Sequence, residues 1–253
     1  MEIALKEVSG SFHPLQMTFT RFLAGGLFLI PFAVRTLKKK KASLNWKDLP
    51  GFLLLGFVGM VLSMSIYQMS VKEVPASVVA VLFSSNPIFT AVLAFFMLKE
   101  PIRRNQIAAL LLEIGGILAI INPFHISLSP YGVLLAMIST LLFAVYGVMG
   151  KRRCARFGGV VVTCASFLCG GAEMLFMILF SRLPMVNKWL AGSGLELFAN
   201  IPLLSGYSWN TLPWMLMICI INTGLGFACY FKAMEETSAQ ELSLIHISEP
   251  TRP

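Results

Sequence analysis

The stretch WKDLPGFLLLGFVGMVLSMSIYQMSVKEVPA at residues 46–76 recurs without a gap as WNTLPWMLMICIINTGLGFACYFKAMEETSA at residues 209–239. Trp46 pairs with Trp209, Leu49 with Leu212, Pro50 with Pro213, Leu53 with Leu216, Leu62 with Leu225, Tyr67 with Tyr230, Glu73 with Glu236 and Ala76 with Ala239. A second match pairs Thr18 with Thr163 and FLAGG at 22–26 with FLCGG at 167–171, so the order of elements is duplicated as well. A twofold internal repeat in an apolar chain points to the architecture of secondary transporters.

The chain has 253 residues, 57% of them hydrophobic and only 13% charged, with a mean hydropathy of +0.77. That apolar share exceeds that of soluble domains. Runs near the ~20 residues needed to span a bilayer occur at Leu15 to Val34, Pro50 to Val71, Ala76 to Leu98, Gln106 to Asn122, Tyr131 to Gly150, Gly159 to Ser181 and Leu212 to Phe231. Backbone crossing lipid must be helical or close into a barrel, and uninterrupted apolar runs exclude the alternation of barrel strands. The fold class is therefore an all-α integral membrane protein, an inverted-repeat helical bundle with seven transmembrane helices in view.

A net charge of +8 raises the question of nucleic acid, but the positive residues fall in short connections between spans. Arg35, Lys38, Lys39, Lys40, Lys41 and Lys47 follow the first span, Lys99, Arg103 and Arg104 the third, and Lys151, Arg152, Arg153 and Arg156 the fifth. All three connections fall on one side, against Lys6, Lys72, Arg182 and Lys188 on the other. This asymmetry is a topology signal that puts the basic loops in the cytoplasm and the protein in the cytoplasmic membrane, with no role for nucleic acid. The basic linker from Arg35 to Lys47 is cytoplasmic, whereas its counterpart from Arg182 to Ser208 is external, longer and nearly uncharged, so the two halves insert upside down.

Cys154, Cys164, Cys169, Cys219 and Cys229 form no CxxC pair and have no histidine nearby, which gives neither a disulfide framework nor a metal site, and no cofactor is implied. The first apolar stretch lacks the features of a cleavable signal peptide. At the N-terminus the stub from Ile3 to Val8 aligns with the end of the fifth span, so a preceding span is expected upstream. From Leu242 the sequence LSLIHISEPTR resembles translated sequencing-library adapter and stands where the repeat expects an apolar span.

With one span restored at the start and two at the end, the chain reads as ten helices in two units of five. The FLAGG motif, the segment Tyr67 to Ser77, Asn86-Pro87, the run Leu98-Lys99-Glu100 and Arg21-Phe22-Leu23 together resemble the EamA family of the drug/metabolite transporter superfamily. The resemblance implies residues 1–124 as a first repeat lacking its first helix, 125–241 as a second lacking its last two, and 242–253 as a non-native tail. It also implies no catalytic residues, no fixed cofactor, and small metabolites as cargo.

Substrate sites in inverted-repeat transporters lie near the midplane, where helices are interrupted. Ser84, Ser85, Asn86 and Pro87 stand at the centre of the third span, where Pro87 has no amide hydrogen and frees carbonyls around Phe83 and Ser84. The competing reading is a proline kink whose serines bond back to their own helix. Tyr67, Gln68, Tyr146 and Tyr230 offer aromatic rings with polar tips, and Asn222 with Thr223 lies deeper in the second copy. Tyrosines near span ends also serve as interfacial anchors. Glu113 and Glu173 lie inside spans, where a charge costs at least a few kcal/mol, so each faces a cavity, finds a partner or is protonated, and both are candidates for proton coupling. Arg21 reads as a snorkelling residue near a membrane face, and Gly25-Gly26, Gly56, Gly59, Gly115-Gly116 and Gly170-Gly171 read as close helix packing.

A seven-helix receptor bundle would not be duplicated, and a membrane enzyme would cluster its His, Asp or Glu, whereas His13, His125 and His246 are scattered. The expectation is a secondary transporter that moves an amino acid-like or drug-like solute by alternating access. Its partners are that solute and the bilayer, with homodimer formation open.

Overall fold

A computed structural model describes residues 12–99, 104–121 and 129–236. The stub at 3–8, the unit boundary at 124–125, His125, His246 and the tail at 242–253 lie outside the described residues. Helix α1 runs Pro14–Lys40; His13 accepts from the Leu15 amide at its start, and Lys38, Lys39 and Lys40 meet the negative end of its dipole. Helix α2 follows a short turn at Trp46–Asp48 and joins Leu49–Gly56, a π-helical stretch Phe57–Ser63, and Met64–Glu73. Helix α3 is broken into Ala76–Phe83 and Asn86–Leu98. Then come α4 (Arg104–Ile121), α5 (Pro130–Phe157), α6 (Gly159–Ser181) and the short α7 (Pro184–Gly192). Helix α8 joins Leu212–Leu216, a second π-helical stretch Met217–Leu225, and Gly226–Glu236.

Six of these helices, α1, α2, α3, α5, α6 and α8, are long and apolar enough to cross a membrane. The seventh expected span corresponds to α4, whose apolar stretch among the described residues is only Ile107–Gly116. It packs at the edge, on the first half of α3. Its Leu111 and Leu112 are exposed, and a Cβ added at Gly115 or Gly116 would meet nothing within 4 Å. Among the described residues that glycine pair meets no neighbouring helix, so the packing role read for it is not seen there.

The remaining glycines carry the symmetry of the bundle. Helices α1 and α6, which hold the matched FLAGG and FLCGG motifs, pack on each other with Phe22 and Phe167 ring centroids 4.9 Å apart. Gly26 faces Leu168 and Phe167, and its repeat partner Gly171 faces Leu23, the mate of Leu168. Gly25 lies against the backbone of Cys219 in α8, while its repeat partner Gly170 lies against Gly56 of α2, the mate of Cys219. Each half thus repeats on the other the contacts that the other makes on it.

The two π-helical stretches sit at matched places, since Phe57 corresponds to Ile220 and Leu62 to Leu225. A π turn bonds to the fifth residue and widens the helix, which lets α2 and α8 bend around the glycine crossings. Hydroxyls lock the neighbouring interfaces. Ser63 donates to the Ser139 carbonyl at 2.9 Å and Ser139 returns the bond to the Ser63 carbonyl at 2.8 Å, while Ser70 donates to Gly132 at 2.7 Å, so α2 and α5 are joined at two levels.

A side chain at Gly56 would collide with the Gly170 backbone, whereas Gly115 has open space around it. Gly56→Ala is expected to lower stability by about 1–3 kcal/mol through overpacking, and Gly115→Ala to stay within about 1 kcal/mol of the parent. Thermal unfolding of both variants in the same detergent checks this, and equal melting temperatures would contradict the crossing geometry.

Candidate functional site

Between the crossed helices lies a chain of aromatic rings that passes through all of the long spans. Tyr67 of α2 stands edge-on to Phe83 of α3 at 5.3 Å, Phe83 tilts on Phe143 of α5 at 5.1 Å, and Phe143 meets Phe227 of α8 at 5.9 Å. Phe227 in turn touches Phe167 of α6 at 5.2 Å and Phe22 of α1 at 6.2 Å. Edge-to-face and tilted contacts of this kind fix ring positions relative to one another.

The sequence-named residues distribute unevenly around this cluster. Tyr67 belongs to it, and Gln68 reaches across to the Thr18 hydroxyl at 3.5 Å. Tyr146 is fully buried, its hydroxyl 3.1 Å from Ser166 and its ring 5.7 Å from Phe143. Gly59 is what leaves room for that ring. Tyr230 packs on Phe231 at 5.3 Å, at the end of the cluster nearer the basic connections. Thr223 is buried in the crossing of α8 with α1, and the buried Asn222 side-chain nitrogen has no hydrogen-bond partner.

The break in α3 falls at Ser84 and Ser85, with Pro87 buried in the first turn of its second half. The Ser84 hydroxyl donates to the Val81 carbonyl at 2.7 Å and Ser85 to Leu82 at 2.6 Å, so the serines cover the ends of their own helix. Asn86 is half-buried and its side-chain oxygen lies 3.5 Å from the Thr90 hydroxyl. The two carboxylates lie apart from the break. Glu113 is inward on α4 with both oxygens buried, Glu173 has one buried oxygen on α6, and these oxygens lack hydrogen-bond partners.

Arg21 departs from its reading as a snorkelling side chain. Its guanidinium turns inward, 4.7 Å from the Phe22 ring centroid, with an N–H set against the Met64 sulfur at 3.1 Å and a buried Nε that has no acceptor. An intramembrane cation is itself a functional signal. What hid it was its place two turns from the helix start, where snorkelling is equally natural. The ring chain of Phe83, Phe143 and Phe227 had no sequence signal, because its members come from distant spans.

One end of the bundle is closed by polar contacts. The three basic connections meet there: Arg156 pairs with Asp48 at 2.8 Å, Lys40 with Glu235 at 3.6 Å, and Arg152 reaches the Met97 carbonyl. Glu235 also accepts from the Gly159 amide at the start of α6, and Lys40 donates to the Cys154 carbonyl at 3.4 Å. At the opposite end the repeat mate of Glu235 is Lys72, near the half-buried His13, whose pKa is lowered first by burial and then by that lysine. Burial and a neighbouring cation both oppose protonation there, and among the described residues no matching ion pair stands at that end. A cavity of about 600 Å³ is apolar and opens beside α7, lined by Met69, Met177, Phe180 and Trp189. None of the candidate residues lines it.

Removing one carboxylate from the latch should loosen that end. Exposed or half-exposed pairs contribute about 0.2–1 kcal/mol, so Glu235→Gln is expected to raise the alkylation rate of the buried Cys154 about two- to fivefold. Mass-spectrometric tracking of that cysteine decides it, and an unchanged rate would remove the latch.

The EamA-like transporter family matches this sequence twice, over residues 2–122 and 130–251. An uncharacterized transporter of Clostridium kluyveri is 30% identical over 247 residues, which is 95% of this chain and 74% of that protein. One from Archaeoglobus fulgidus is 23% identical, covering 92% and 81% respectively. The uncharacterized inner membrane transporter YedA of Escherichia coli K12 is 27% identical over 243 residues, covering 85% of this chain and 75% of the relative. A crystal structure with 18% identity has the same fold, at a TM-score of 0.69 over 96% of this chain and 76% of its own.

Proposed function

The chain belongs to the EamA-like transporter family, is a multi-pass membrane protein, and on that footing we propose that it carries a small solute across the cytoplasmic membrane by alternating access. The observation that carries this reading is the reciprocal packing of the two halves, Gly25 on Cys219 and Gly170 on Gly56, around a shared aromatic centre. Two units of like shape set in opposite sense can exchange roles, so opening at one end is the mirror of opening at the other.

In this reading the basic end faces the cytoplasm and is closed by the Arg156–Asp48 and Lys40–Glu235 pairs. The solute contacts Tyr67, Gln68, Asn86, Asn222 and Thr223, while Pro87 with Ser84 and Ser85 lets the second half of α3 tilt, and Tyr146 and Tyr230 form the floor. Glu113 and Glu173 are the proton-coupling candidates, since a buried carboxyl without a partner is held neutral more cheaply than charged. The domain division follows the two repeats, 1–124 and 125–241.

Asn86→Ala and Tyr67→Phe each remove one polar contact, a loss of about 0.5–1.5 kcal/mol, and are expected to lower transport about threefold to tenfold while expression is retained. Proteoliposome flux of a panel of labelled amino acids and aromatic carboxylates measures it. Parental kinetics in both variants would take these residues out of the path.

A further inference from the structure

A guanidinium cannot shed its proton in a protein, and a thioether is a weak acceptor. Arg21 is therefore a permanent cation whose contacts are the Phe22 ring and the Met64 sulfur, with a buried Nε–H that meets no acceptor. Among the described residues, Tyr67 and Cys219 lie within electrostatic reach of it. Among the described residues no carboxylate pairs with it. A charge held this way inside a membrane bundle is costly unless an anion arrives to meet it.

The surroundings define the rest of the ligand. Arg21 lies between α1 and α2, where Gly25, one turn further along, brings α8 into backbone contact, so three helices from both repeats converge on it. Tyr67, within electrostatic reach of it, begins the row of rings that continues through Phe83 and Phe143 to Phe227. The guanidinium fork suits the two oxygens of a carboxylate, and the ring faces suit a flat apolar body.

We propose that Arg21 is the anion-binding residue of the central site and that the transported solute is a carboxylate carried on a flat apolar body. The inference rests on the transport reading above, but binding and flux can be read separately. The matched probes are phenylacetate and phenylacetamide, which share a ring and differ in charge.

Ligand-induced thermal shifts of the purified full chain in detergent give the binding arm. Phenylacetate should stabilise the parent and phenylacetamide should not. Arg21→Gln should weaken phenylacetate about tenfold to a hundredfold, the loss expected for a hydrogen bond to a charged group. Arg21→Lys, which keeps the charge without the fork, should fall between them, and it carries the comparison where Arg21→Gln does not fold. Equal shifts from acid and amide, no shift from either, or parental affinity in the variants would overturn the proposal. Efflux of preloaded phenylacetate from proteoliposomes gives the second arm. Binding that depends on Arg21 without any flux would overturn transport and leave the anion site standing; flux that ignores Arg21→Gln would do the reverse.

Discussion

In a bilayer, apolar side chains gain nothing by leaving lipid for one another, so a bundle must be held by close packing and by polar contacts between helices. Here the close packing is backbone against backbone at Gly25, Gly56 and Gly170. At Gly25 and Gly56 the approaching atoms are main-chain atoms that no rotamer change can move aside, while Gly170 meets the Met60 side chain as well as the Gly56 backbone. The position of every other element follows from them. The α1–α6 crossing sets where α2 and α8 can lie, and the π-helical stretches Phe57–Ser63 and Met217–Leu225 are the local deformations that let those helices reach the crossing.

A wide turn loosens the regular backbone bonding of the helix, and lipid supplies no water to replace it. The chain places hydroxyls next to such points. Ser63 and Ser139 exchange bonds beside the first wide turn, and Thr163 donates to the Phe227 carbonyl at 3.3 Å just past the second. Irregular backbone is thereby confined to the interior, beside the aromatic centre, where polar groups can also meet a solute. One pair of repeat mates, Glu235 and Lys72, contributes to the asymmetry between the two ends: Glu235 joins a network of basic residues, while Lys72 lies near the half-buried His13.

Much of this was legible in the sequence because a repeat constrains many positions at once. Trp46 with Trp209 and Gly25 with Gly170 announce the duplication directly, and the charge pattern of the connections separates the two ends. The failures share a physical cause. Gly115 and Gly116 look like packing glycines, yet whether a small residue meets a neighbour depends on where its helix sits, and α4 sits at the edge. Arg21 was readable as either a snorkelling or an inward cation, and only its rotation on α1 decides between them. The π turns leave no composition signature, and the ring chain depends on which faces of distant helices meet.

The central claim is that two inverted units exchange accessibility, and distance measurements across both ends test it most directly. Spin labels at the exposed Lys47 and Ala155 report on the basic end, and labels at Lys72 and Leu204 on the other. Pulsed electron–electron distance distributions in liposomes, taken with and without a bound solute, should shift in opposite senses, one pair separating as the other approaches. Distances that stay fixed, or that lengthen together at both ends, would contradict the account.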